Sequence, residues 1–135
     1  MIVDFKNLKV GKNIGDIFRD CDIFDDALST LEILNIDTSN TKDASHMFSV
    51  LSDLKKIHIQ SFDTSNIKDM SYMFAGCTSL TKLDVSGFNT SKVENMNSMF
   101  SYCHSLEKVI LPKDKKSRER LINQLKRDNI HCEVL

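Results

Sequence analysis

At 135 residues, 41% hydrophobic and 27% charged, with one Pro and four Gly, the chain has the profile of one folded globular domain. That composition excludes a disordered polar tract, and a formal net charge of −1 supplies no global pull toward nucleic acid or an acidic membrane.

The opening residues, MIVDFKNLKVGKNIGDIF, hold no apolar run of signal-peptide or anchor length and carry Asp4 early. The expectation is a cytoplasmic protein with no membrane attachment. Its four cysteines (Cys21, Cys77, Cys103, Cys132) then stay reduced and unpaired. Gly11 and Lys12 are adjacent, but a phosphate loop needs an upstream Gly and a following Ser or Thr, and both are missing. The region reads as a turn.

NIGDIFRDC places Ile14, Ile17, Phe18 and Cys21 at offsets 0, 3, 4 and 7, which is one face of a helix. TLEILNI then supplies Leu31, Leu34 and Ile36 as a strand. DIFDDAL between them reads as an insertion in a degenerate N-terminal lap. Asp20 to Asp26 gather four carboxylates around Cys21 without the Gly and Glu of a calcium loop. The stretch reads as a solvated acidic loop, in which Phe24 and Asp25 are candidate partner-binding residues.

From Ile36 the chain repeats with a period of 26, in laps that start at Ile36, Phe62 and Phe88. The aligned columns include Thr38/Thr64/Thr90, Met47/Met73/Met99, Phe48/Phe74/Phe100, Leu54/Leu80/Leu106, Ile57/Leu83/Val109 and Ile59/Val85/Leu111. A fixed period in this range marks a solenoid. LTKLDV (Leu80 to Val85) has the L-x-x-L-x-L pattern of a short strand. DMSYMFAGC holds Met70, Met73, Phe74 and Cys77 at helical offsets, with Asp69, Asn95 and Asp43, or the competing Ser65, Ser91 and Ser39, as caps. Stacking turns each column into a ladder, so the Met, Phe and Cys columns read as core.

After Pro112, KDKKSRERLINQLKRDN puts Leu121, Ile122 and Leu125 on one helical stripe, and IHCEVL follows as a strand. This unit suits the closing end of a solenoid. The fold expected is an α/β, short leucine-rich-repeat-like solenoid of strand-helix laps in a single domain. Residues 1–35 form the N-terminal cap and degenerate lap, 36–112 the three repeats, and 113–135 the helix-strand C-terminal cap.

The laps FDTSNIKDMSYMFAGCTSLTKLDVSGFNTSKVENMNSMF resemble the BspA-type leucine-rich repeats of bacterial surface proteins, also described as a mycoplasma-type domain of unknown function. The likeness runs through Ile36 to Pro112 and more faintly through Ile14 to Asn35. It implies protein-protein interaction, often adhesion at a cell surface, and no catalytic residue.

No G-x-S-x-G or His-Glu-x-x-His motif occurs. Cys103-His104 and His131-Cys132 lack the paired ligands of a zinc site, and a thiol buried in the core ladder cannot serve as a nucleophile. No enzyme, metal or cofactor is therefore expected. In L-x-x-L-x-L the intervening residues face outward, giving columns Ile33/Lys56/Lys82/Lys108 and Asn35/His58/Asp84/Ile110. Lys56, His58, Lys82, Asp84, Lys108 and Ile110 are the candidate partner-binding residues, with Asp84 and Glu107 placed to screen the lysines.

The functional expectation is a non-catalytic, monomeric protein-binding module, an adaptor or an inhibitor such as an anti-CRISPR-type antagonist carried by a phage or mobile element. One alternative is an adhesion fragment. Another is nucleic-acid or ribonucleoprotein binding through Lys113 to Arg127, since from Lys113 to Asp128 seven Lys/Arg stand against three Asp/Glu.

Overall fold

The computed structural model describes residues 1–15, 17–18 and 29–135. Among the described residues six short strands form one sheet in chain order, each pairing in parallel with the next. They are β1 (Ile2–Asp4), β2 (Thr30–Leu34), β3 (Lys56–His58), β4 (Lys82–Asp84), β5 (Lys108–Ile110) and β6 (Glu133–Val134), with one helix, α1 (Lys115–Arg127), before β6. The chain is a parallel β-solenoid of about five turns.

Consecutive coils lie in register, so equivalent residues pile up in the interior. Phe18, Phe48, Phe74 and Phe100 stack face to face, with successive ring centroids 5.7, 5.6 and 6.1 Å apart. Met47, Met73 and Met99 line the same interior, fully buried. Polar atoms inside are served by equally regular bonds. The Thr38 hydroxyl donates to the Asp63 carbonyl (2.9 Å) and accepts from the Asp63 N–H (2.8 Å); Thr64 does the same with Asn89. The buried Cys77 and Cys103 thiols donate to the Phe48 and Phe74 carbonyls one coil below.

The segments within the repeat laps that were expected to be helical are not helices. Along Met70–Cys77 every second N–H leaves its own coil: Met70, Tyr72, Phe74 and Gly76 donate to Asn95, Asn97, Met99 and Ser101, at 2.8–3.0 Å. The N–H groups between them close tight turns three residues back, Met73 to Met70 and Ala75 to Tyr72. Tyr72 and Gly76 sit at φ 58° and 78°, and the coils below and above repeat this at His46 and Val50, Ser98 and Tyr102. A left-handed residue every fourth position cannot occur inside an α-helix. A single helical turn or two is also poor at stabilising itself, whereas the neighbouring coil offers a carbonyl to each alternate N–H. Offsets 0, 3, 4 and 7 share a face in both geometries, which is why the pattern suggested a helix.

The expected helix caps accordingly close turns instead. Asp69 Oδ1 accepts from the Ser71 N–H at 2.8 Å, and Asp43 and Asn95 accept two residues on in the same way. Asp37, Asp63 and Asn89 repeat the device in the other corner. Hydrogen bonds from Ser39 and Ser65 hold the Asp37 and Asp63 carboxyls below their usual range.

The two ends are finished differently. At the C-terminal end α1 lies across the last coil with Ser117, Leu121, Gln124 and Leu125 buried. Leu121 and Leu125 pack as the sequence implied, while Ile122 is half-buried. Asp128 accepts from the Phe100 N–H at 2.9 Å, standing in for the carbonyl of a further coil. Arg120 donates to the Thr90 and Val93 carbonyls, and Ser117 takes over the threonine ladder by bonding Thr90. At the N-terminal end β1 adds a strand that the sequence pattern did not reveal.

One strand is shifted from its expected place. Leu31 aligns with Ile57, and Thr30 with Lys56, so β2 slides by three residues relative to the leucine-rich template. Ile33 is therefore buried, not outward, and Leu34 is only half-buried.

Two substitutions test this interior. Phe74→Asp places an unpaired charge inside the stack and should abolish the cooperative melt. Ser49, whose buried hydroxyl has no partner among the described residues, occupies the column of Ala75. Ser49→Ala should raise stability by about 1 kcal/mol in urea denaturation, since it removes an unsatisfied polar group.

Candidate binding surfaces of the solenoid

The strand face brings the six predicted residues together. Lys56, Lys82 and Lys108 are direct Cα partners on successive rungs, and Asp84 pairs with Ile110 beside them. Lys56, His58 and Lys82 are exposed, whereas Asp84, Lys108 and Ile110 are half-buried. The slide of β2 changes the first member of each column: Thr30 precedes Lys56, and Glu32 precedes His58, in place of Ile33 and Asn35. Phe24 and Asp25 lie outside the described residues.

Charge on this face is partly neutralised. Lys108 Nζ lies 3.5 Å from Glu133 Oε2, so β6 supplies the screening carboxylate. Asp84, expected to screen, also accepts from the Ser86 N–H at 3.0 Å. Among the described residues Lys56 and Lys82 make no ion pair. A shallow groove of about 220 Å³ opens between them, lined by Ile57, His58, Gln60 and Asp84 as well.

The basic C-terminal helix is committed in part to the fold. Arg120 is spent on the last coil's carbonyls, and Arg118 donates to the Leu135 carbonyl at 3.0 Å. Beside α1 a wider groove of about 990 Å³ runs over Leu106, Leu125, Ile130 and Cys132.

A third surface escaped the sequence reading. On the turn edge, the left-handed residues project side chains outward: Tyr72 is 42% exposed, Val50 50% and Tyr102 67%. The His46 and Tyr72 rings stack 4.7 Å apart, and Tyr102 meets His104 edge-on at 5.9 Å. Gly76, in the column of Val50 and Tyr102, was the available signal. A glycine in one lap marks a backbone position at positive φ in all of them.

Cys77 and Cys103 are unsuited to nucleophilic work. Burial pushes the Cys77 thiol up to about 12 and raises Cys103 as well. Cys132, half-buried, is also raised by burial. Because the folded thiols hold their protons above the unfolded value, they stabilise the fold fully below about pH 8.5. That contribution declines as pH rises from there toward 12. In a Cys21→Ser background, an aromatic disulfide reagent at pH 8 should label Cys132 first, and Cys77 and Cys103 only upon unfolding. The alkaline loss of stability should be smaller in Cys77→Ala.

Among the described residues no group of three or more His, Cys, Asp or Glu is placed to hold a metal ion, and no helix is long and apolar enough to cross a membrane. No curated protein and no solved structure matches the chain. Residues 12–125 match the family described as "Mycoplasma protein of unknown function, DUF285", spanning nearly all the coils and most of α1, and the chain belongs to that family.

Proposed function

We propose that the protein is a non-catalytic binding module, an intracellular adaptor or inhibitor, whose strand face engages an acidic surface on a partner protein. The coils are then short laps of the leucine-rich, BspA-like kind, closed at one end by α1. The observation that carries the reading is the lysine column: Lys56, Lys82 and Lys108 stand on adjacent rungs. Rungs of a parallel sheet are about 4.8 Å apart, so like charges at that spacing repel. Glu133 pairs with Lys108, whereas among the described residues Lys56 and Lys82 have no ion-pair partner, so carboxylates from a partner would find two unpaired cations there.

The rigid backing favours this role. Ile57, Leu83 and Val109, between the exposed residues, are anchored in the core, so the face loses little conformational freedom on binding. The deeply buried thiols with raised pKa values argue against cysteine catalysis.

Affinity capture on the immobilised protein, run beside a Lys56→Glu/Lys82→Glu variant, tests the reading. The wild type should retain a partner that the variant releases, with affinity falling about tenfold or more and weakening with salt. The variant's melting temperature should be unchanged, because both side chains are exposed. Equal retention by the two proteins would contradict the proposal.

A further inference from the structure

The turn edge carries both of the chain's two tyrosines. Tyr72 and Tyr102 sit at φ 58° and 65°, and Val50 at φ 62°. A non-glycine residue there costs about 1–2 kcal/mol, and Gly76 shows that a glycine fits one of these positions. Burial in the core does not offset that cost, since the three side chains are 42%, 67% and 50% exposed.

Charge is almost absent from the same edge. His46–Asp53, Tyr72–Ser79 and Ser98–Ser105 contain a single Asp/Glu/Lys/Arg residue, Asp53, in a chain that is 27% charged. Exposed aromatics with neighbouring hydroxyls and few charges are the compositional mark of a recognition surface.

The stacking geometry narrows the ligand. His46 and Tyr72 lie ring on ring, 4.7 Å apart and 3° from parallel. On the next rung the same column holds Ser98, a small hydroxyl residue in place of a third ring. A groove of about 330 Å³ opens beside Ser98, lined also by Ser101, Tyr102, His104, Arg127 and Asn129, with Asp128 held by the Phe100 N–H and Ser101.

We propose that this edge binds a neutral saccharide. A pyranose ring presents a flat C–H face, which packs on an aromatic ring, and a rim of hydroxyls, which need both donors and acceptors. The ring of Tyr102, which lines the groove, and the exposed ring of Tyr72 on the adjoining coil supply the platform. Arg127 and Asn129 donate, and the serine hydroxyls and the Asn129 carbonyl accept. The groove falls at the small end of small-molecule sites. With a single cation, Arg127, in its lining, it is poorly matched to a polyanion. The site uses columns separate from the lysine face and stands or falls independently of it.

The chain contains no tryptophan, so its tyrosine emission reports this edge directly. Labelled protein on an array of neutral and sialylated glycans should retain neutral members. Titrating the strongest of them should change tyrosine emission saturably. Tyr72→Ala and Tyr102→Ala should each weaken array binding about tenfold, the worth of one aromatic contact, with unchanged melting. Lys82→Glu should bind as the wild type does. Retention of no neutral glycan, of sialylated glycans alone, or of a control oligothymidine alone would overturn the proposal. So would neutral-glycan binding that survives both tyrosine substitutions.

Discussion

The backbone bond between coils in the turn segments is the constraint on which the rest of the structure depends. Phe48 donates to Met73 and Phe74 to Met99, each at 2.9 Å, and the alternate residues around them do likewise. These bonds extend pairing well beyond the three-residue strands, which are too short to hold a sheet by themselves. They also fix register. A slip of one residue would take Phe48, Phe74 and Phe100 out of line with one another.

Register then sorts every side chain into a column with one environment. Interior columns become the phenylalanine stack, the methionine filling and the threonine bridges. Exterior columns become two ruled surfaces of opposite character, a charged strand face and a nearly uncharged turn edge. The last coil has no neighbour above it, and its loose backbone groups are taken by side chains from one short segment: Ser117, Arg120 and Asp128. Two of the cations in α1, Arg118 and Arg120, therefore serve the end of the solenoid.

How much of this was legible depended on whether repetition carried the signal. The Phe48/Phe74/Phe100 and Thr38/Thr64/Thr90 columns could be read because in-register stacking maps a sequence repeat directly onto a ladder. The lysine column was readable for the same reason. Met70–Cys77 was misread because a period of four and a period of 3.6 bury the same residues over so short a span. β1 was missed since Ile2–Asp4 has no sequence equivalent, and β2 was misplaced because Leu31 and Leu34 fit the leucine template three residues out of phase. Asp128 looked like an ordinary acidic residue. Its role is created by the unfinished coil it covers, which is a tertiary fact. The turn edge was hinted at only by Gly76.

The most direct measurement is a scalar coupling through the hydrogen bonds themselves, from amide nitrogen to accepting carbonyl carbon in labelled protein. The account predicts correlations from Phe48 to Met73 and from Phe74 to Met99, one coil away. Correlations from Phe48 to Ala44 and from Phe74 to Met70 would show helices in place of linked turns, and would contradict it.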